Sequence, residues 1–211
     1  MSDLSPQQRS LAVLLAALAG FVDAYGYRQL GGFFVSFMSG NTTKLAVGLA
    51  THLVPAGVAV SLVASFVAGA FLGALLRGFL GPRPTCGLLI VVALLLAVAT
   101  GLGSLGYALP SGLSLAGAMG TENELLFRRG EGPFGVTYVT GVLVQLGQDL
   151  AAALRGGAPL GWTWQLALWL GLLAGALVGA LSFPVLHTGA LAAATLATLV
   201  LAAGARHWGI D

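Results

Sequence analysis

The sequence predicts an all-α, polytopic integral membrane protein, a helix bundle built from two internal repeats. Three observations predict this class: 57% of the 211 residues are hydrophobic and only 8% are charged, the mean hydropathy is +0.94, and the chain contains 32 glycines. Soluble domains carry about 25% charged residues, so the composition excludes an ordinary water-soluble globule. So many glycines indicate close helix packing, because backbones without Cβ atoms approach each other within lipid.

Eight apolar segments follow one another along the chain. They cover residues 11–28, 35–54, 57–80, 85–106, 111–128, 135–154, 161–182 and 185–205. A spanning helix needs about 20 apolar residues, because the hydrocarbon layer is about 30 Å thick and each helical residue rises about 1.5 Å. The connections are short and rich in Gly and Pro, as at 81–84 and 156–159. We therefore expect a single transmembrane domain over 1–211.

An internal repeat relates residues 11–106 to residues 111–205. Residues 34–40 realign with 135–141, and 68–75 realign with 174–181. Upstream, Gly20 and Asp23 fall against Gly120 and Asn123 after one gap. Helices rich in Ala, Gly and Leu also align by chance, but the ordered series of polar residues favours a true repeat.

The arginines favour six crossings over eight. If all eight segments cross, three arginines lie on the N-terminal side and five on the other. If the second and sixth segments instead enter and leave on one side, seven arginines share the N-terminal side and only Arg28 lies opposite. The positive-inside rule prefers the second arrangement, with both termini cytoplasmic.

The polar residues of the second and sixth segments indicate broken or re-entrant half-helices. Polar residues from 36 to 44 precede the apolar run of the second segment, and a full span would place them in lipid at high cost. We expect Ser39 or Asn41 to cap a half-helix that runs from about Thr42 to Leu53. Thr137 and Thr140 precede the corresponding helix of the second half. Three crossings and one half-helix per repeat predict inverted repeats, a recurrent plan in transporters.

Two motif pairs resemble a known family. The run from Gly20 to Ala24 with residues 37–42 (Phe-Met-Ser-Gly-Asn-Thr), and the stretches 120–123 and 138–141, are similar to signatures of the YoaK-like family of uncharacterised small bacterial inner-membrane proteins. The resemblance covers most of the chain and implies location and architecture more than activity. Ser39 stands where members commonly have Thr. Glu122 and Glu124 also depart from the family's pattern, and this puts a shared ligand preference in doubt.

A polar centre between the two half-helices is the predicted substrate site. Ionisable groups at membrane depth cost about 2.5–3.5 kcal/mol on insertion scales, so they face a cavity or a partner. Lys44 lies near a half-helix N-terminus, where its charge and the free N–H groups favour an anion. The sequence leaves open whether Lys44 pairs with Asp23 or faces a substrate. The predicted site residues are Asp23, Ser39, Gly40, Asn41, Thr42, Lys44, Asn123, Thr137, Thr140 and Gly141.

The predicted function is a transporter or channel for a small polar or anionic solute. Asp23 is a candidate for coupling transport to protons. The alternative is a membrane scaffold whose polar residues join helices and whose small-residue ridges, such as Gly171-x-x-x-Gly175, bind a partner. The same ridges suit packing within one chain or a homodimer. Recognised catalytic constellations are missing from the sequence, and we expect no enzymatic activity, no cofactor, no metal and no nucleic-acid partner.

Overall fold

The computed structural model describes residues 5–51, 53–81, 84–125 and 139–210, which form eight α-helices and no β-strand. Each helix coincides with one of the eight predicted segments, and the ends differ by at most six residues. The all-α class is confirmed. The helices are α1 (Pro6–Gln29), α2 (Met38–Thr51), α3 (Leu53–Phe79), α4 (Pro84–Ser104), α5 (Ala108–Glu122), α6 (Val139–Leu154), α7 (Thr163–Leu186) and α8 (Thr188–Trp208).

Five of these helices are long and apolar enough to cross a membrane: α1, α3, α4, α7 and α8. The other three are shorter, with 14 residues in α2, 15 in α5 and 16 in α6. Many large hydrophobic side chains remain exposed on the outside of the bundle, especially on α7, as expected for a surface that faces lipid. The architecture is that of a polytopic helical membrane bundle.

Local sequence determines where several helices begin and end. The Ser5 hydroxyl accepts from the Gln8 N–H, and the Gln8 side chain accepts from the Ser5 N–H. This capping box precedes α1, with Pro6 in the first helical position. Between α7 and α8, His187 adopts a φ of 46° and donates its N–H to the Phe183 carbonyl, so the two helices are separated by a single residue.

Glycines allow two pairs of helices to pack in parallel with their backbones in contact. On α7, a Cβ at Gly175 would collide with the Ala17 carbonyl oxygen of α1, and a Cβ at Gly179 with that of Phe21. From the first contact to the second, the residue number increases by four on both helices, so α1 and α7 run in the same direction. The ridge of small residues on α7 therefore packs helices within the chain.

The same kind of contact joins α3 to α5. A Cβ at Gly69 would collide with the carbonyl oxygen of Gly117, and a Cβ at Gly73 would lie 3.3 Å from the Thr121 Cα. The Thr121 hydroxyl also donates to the Gly69 carbonyl at 3.0 Å. These contacts make α3 and α5 parallel to each other.

The remaining contacts orient the core, to which α1, α4, α5 and α8 contribute most side chains, joined by Leu62 of α3 and Val35 of the α1–α2 connection. Ser111 and Ser114 of α5 donate to the carbonyls of Ala99 and Leu95 on α4, so α4 and α5 are antiparallel. Gln29, at the end of α1, donates to Ser111, near the start of α5. It follows that α1 and α5 run in opposite directions, and that α3 runs opposite to α1.

Candidate functional site

The chain between α1 and α2 turns back along α1. Gly31 and Gly32 have φ values of 63° and 103°, a region that glycine reaches without strain. Residues 33–37 then return to the level of Asp23, which lies six residues, or about 9 Å, before the end of α1. At the far end of α2, Gly48 packs against the first turns of α3 at Ala56. Because α3 runs opposite to α1, both α1 and α2 end on the same side of the bundle.

Asp23 holds the returning segment in place. Its Oδ1 accepts hydrogen bonds from the backbone N–H groups of Val35 and Ser36, both at 2.8 Å. Beside it, a Cβ at Gly26 would collide with the Val35 side chain, so this glycine lets the segment lie against α1. A carboxylate that accepts two N–H bonds forms strong, charge-assisted hydrogen bonds. The Asp23 side chain therefore acts on the backbone of the returning segment.

Asn41 of α2 binds the backbone of the same returning segment. Its side chain is completely buried, accepts from the Phe34 N–H at 3.0 Å, and donates to the Phe34 carbonyl at 2.6 Å. The predicted caps are thus corrected: α2 begins at Met38 rather than near Thr42, and Ser39 and Asn41 lie inside its first turn. The reason is that the Asn41 amide satisfies backbone groups of the extended segment, which leaves the helix free to begin earlier.

Lys44 is half-buried near the middle of α2. Its ammonium stands 5.3 Å from the centre of the Phe33 ring, a cation–π distance. Of the two alternatives that the sequence left open, the Asp23–Lys44 pair does not form: within the described ranges, no ion pair joins these side chains. The Lys44 charge lies beside the Gly31–Gly32 turn, since a Cβ at Gly32 would be 3.8 Å from Nζ.

The other residues predicted on α2 are less enclosed. Ser39 and Thr42 are exposed, and Gly40 is half-buried against Phe37. The Thr42 hydroxyl donates to the Met38 carbonyl at 2.8 Å, within its own helix. A hydroxyl bonded in this way is tolerated in an apolar environment. These three residues thus lie at the start of α2 and are more open to the outside of the bundle than Asn41.

The second half supplies fewer of the predicted residues. Thr137 lies outside the described residues. Thr140 is exposed and Gly141 is half-buried, both in the first turn of α6. Asn123 follows the last residue of α5 and donates its amide to the Met119 carbonyl at 2.7 Å.

The expected meeting of α2 and α6 is not seen as a direct contact between the described residues. Contacts of α2 are with α3, contacts of α6 are with α7, and the two short helices do not touch. Each short helix instead packs on the helix that follows it, after one residue between α2 and α3 and after eight between α6 and α7. The structure therefore brings Asp23, Asn41 and Lys44 together around residues 33–36. Thr140 and Gly141 belong to α6, which does not contact α2.

Sequence reasoning missed the groups to which these side chains bind. The partners of Asp23 and Asn41 are backbone groups of residues 34–36, and the partner of Lys44 is the ring of Phe33. Backbone partners leave no signature in side-chain identity. The only available signal was the pair Gly31–Gly32, which indicates a turn that returns the chain toward α1.

Comparison with known proteins agrees with this architecture. The family described as "Protein of unknown function (DUF1275)" matches residues 11–204. The chain belongs to this family. A UPF0700 transmembrane protein of Rhizobium meliloti (strain 1021) is 36% identical over 208 residues, covering 94% of this chain and 88% of that protein. No solved structure matches the chain.

The resemblance to an uncharacterised family of membrane proteins is thereby confirmed. The transmembrane relative and the five apolar helices together show a multi-pass membrane protein, whose outer helix faces contact lipid.

Proposed function

We propose that this protein is a non-enzymatic transporter or channel for a small anionic solute, which binds near Lys44 and the N-terminal turn of α2. The observation that carries the proposal is the half-buried Lys44 ammonium, which has an aromatic ring beside it but no carboxylate partner among the described residues. A cation at membrane depth is costly and usually marks a pathway for a solute or ion. The N–H groups of the first turn of α2 add positive potential nearby.

We also propose that the two halves are inverted repeats. Gly20 of α1 meets the Leu172 carbonyl of α7, and Gly120 of α5 meets the Phe66 carbonyl of α3. The proposed alignment pairs α1 with α5 and α3 with α7, so the two contacts are equivalent. The members of each aligned pair run in opposite directions, which supports inversion across the membrane plane.

The arginines support an inner-membrane location with both termini in the cytoplasm. Arg9 lies in the first turn of α1, Arg77 in the last turn of α3 and Arg206 in the last turn of α8. Since α3 runs opposite to α1, and Ala205 near the end of α8 shares a buried cluster with Leu11 near the start of α1, all three arginines lie on the same side of the bundle. Arg155 lies in the connection to α7. The Arg9 guanidinium lies over the ring of Trp164, at the start of α7, so Arg155 is on the side of Arg9. Of the described arginines only Arg28 lies at the opposite side, in the last turn of α1. This distribution fits the positive-inside rule.

Flux through sealed liposomes tests the proposal. The purified protein is reconstituted in neutral lipid, with chloride, nitrate and formate as the probe anions. We expect flux of at least one probe above protein-free liposomes, and a decrease of about tenfold in Lys44→Gln, equivalent to about 1.4 kcal/mol.

The matched control is Arg28→Gln, which should keep the flux of the unaltered protein. The Arg28 guanidinium also stands over a phenylalanine ring, at 5.7 Å from the centre of Phe183, but it is exposed at the end of α1. Absence of flux for all three probes, or equal flux in Lys44→Gln and the unaltered protein, would contradict the anion site and favour the scaffold alternative.

A further inference from the structure

Glu122, in the last turn of α5, is completely buried, and neither of its carboxyl oxygens has a hydrogen-bond partner in the described part of the chain. Buried polar groups are nearly always hydrogen-bonded, so each exception needs an explanation. A charged carboxylate in an apolar interior without a partner is the most expensive case. Among the acidic residues in the described part of the chain, Glu122 is the one whose buried oxygens have no compensating partner.

The side of α5 that carries Glu122 faces the apolar core. Glu122 follows Ser111 by 11 residues, which places it within about 20° of the same helix face. Ser111 contacts the Ala99 carbonyl of α4 and the Gln29 side chain of α1. One turn beyond Glu122, Leu125 belongs to a buried cluster with leucines of α1 and α4. Ala118 and Met119, one turn before Glu122 on the same face, are also buried in the apolar core, so apolar side chains flank Glu122 along α5.

No charged side chain of the neighbouring helices reaches Glu122 within the described residues. The Arg77 guanidinium of α3 donates instead to the backbone carbonyl of Glu124. The partial negative charge at the end of α5 further disfavours an anion. The ionisable groups on α1, α3 and α4, and beside α5, are Arg9, Asp23, Tyr25, Tyr27, Arg28, Arg77, Cys86, Tyr107 and Glu124.

We propose that Glu122 is a proton-binding site, which is a neutral carboxylic acid in this conformation of the bundle. To release the proton, water must reach the side chain between α5 and the helices α1 and α4. The Glu122 O–H bond then breaks, the proton passes to that water as hydronium, and the carboxylate remains on the protein. When the carboxylate binds a proton again, water leaves and α5 packs against α1 and α4 as before.

The assignment moves proton binding away from Asp23, the candidate indicated by the sequence. The Asp23 carboxyl accepts two backbone N–H bonds and its negative charge strengthens both, whereas Glu122 accepts none. Protonation of Asp23 would weaken the bonds that hold residues 35 and 36 in place. Protonation of Glu122 removes a buried charge and disturbs no hydrogen bond in the described residues.

The coupling of this proton to solute movement rests on the proposed transport function. One proton released with each anion would make the movement electroneutral. Gly73 of the parallel helix α3 lies beside Thr121, so Glu122 is level with Ala74. Ala74 is five residues, or about 7.5 Å, before the end of α3 at Phe79. That is the side of the bundle that carries Arg77, so the proton would exchange with the proposed cytoplasmic face.

Infrared spectroscopy of the reconstituted full chain tests proton binding without any assumption about transport. We expect a carboxylic-acid C=O stretching band at neutral pH that is lost in Glu122→Gln and retained in Glu122→Asp. The control Glu124→Gln, which alters a nearby half-buried carboxyl, should keep the band. Absence of the band from the unaltered protein, or its persistence in Glu122→Gln, would overturn the proposal.

A measurement on the unaltered chain guards against variants that fail to fold. In D₂O, the band of a buried acid should shift slowly, because exchange requires opening of the helix contacts. An immediate shift would show that the acid is open to water and would contradict the site described above.

A pH-sensitive dye inside chloride-loaded liposomes then tests coupling. We expect protons to accompany chloride in the unaltered protein and the ratio of protons to chloride to fall toward zero in Glu122→Gln. Chloride flux without proton movement in the unaltered protein would refute coupling. Absence of any anion flux would refute the transport function and leave the infrared band as the separate test of Glu122.

Discussion

Replacement of Asp23 by alanine tests whether this carboxylate holds the returning segment between α1 and α2. The variant removes the acceptor of two 2.8 Å bonds from the N–H groups of Val35 and Ser36. Hydrogen bonds to charged groups contribute about 1.5–3 kcal/mol each. We therefore expect Asp23→Ala to lower the free energy of unfolding by about 3 kcal/mol, more than a hundredfold in the folding equilibrium.

The assay is reversible unfolding in mixed micelles, followed by loss of helical circular dichroism as the fraction of denaturing detergent increases. Asp149→Ala is the matched control. Within the described part of the chain, the Asp149 carboxylate accepts only from the Gln145 side chain, and no residue of its helix α6 is buried. Its effect should stay within about 0.5 kcal/mol. Asp23→Asn keeps an acceptor without the charge and should lie between the two.

A change below about 1 kcal/mol in Asp23→Ala would refute this reasoning, given the two charge-assisted bonds that the variant loses. Equal effects of Asp23→Ala and Asp149→Ala would refute it as well. In that case the contacts of residues 33–37 with α1, rather than the carboxylate, would hold the segment in place.

Two further predictions concern helix packing and topology. Gly175→Ala should destabilise the same unfolding transition by about 1–3 kcal/mol, because its Cβ would collide with the α1 backbone. Gly101→Ala, where a Cβ would meet nothing within 4 Å, should be neutral or stabilising, and equal losses in both would contradict the packing. With Cys86→Ser as background, single cysteines replacing Thr51 and Arg155 should react with membrane-impermeant thiol reagents from opposite faces. Reaction from one common face would reject the six-crossing arrangement.

The positions of the helices were predictable from the sequence because the relevant signals are local. Hydrophobic runs of about 20 residues require helices in a bilayer, and Gly and Pro between them mark the connections. The pattern also singled out Asp23, Asn41 and Lys44, which the structure places around one segment. It did not predict that α2 starts at Met38, since the side chain of Asn41 bonds to the backbone four residues before the helix.

The arrangement of the two short helices was not predictable from the same signals. Polar residues at the starts of α2 and α6 indicated breaks, but the expected meeting of the two helices does not occur in the described structure. Each short helix packs on the helix that follows it in the chain. The proposed anion site therefore depends on residues of the first half, above all Lys44 and Phe33.

The sequence by itself determined the membrane class, the eight helical segments and the glycine positions that allow helix backbones to touch. Tertiary structure alone decided that α1 packs on α7 and α3 on α5, that Asp23 binds backbone N–H groups instead of Lys44, and that Glu122 is enclosed without a partner. The physical reason is that helical periodicity specifies which face of a helix is polar or small. It does not specify which distant helix covers that face, and the choice of neighbour decides whether a charged side chain finds a partner.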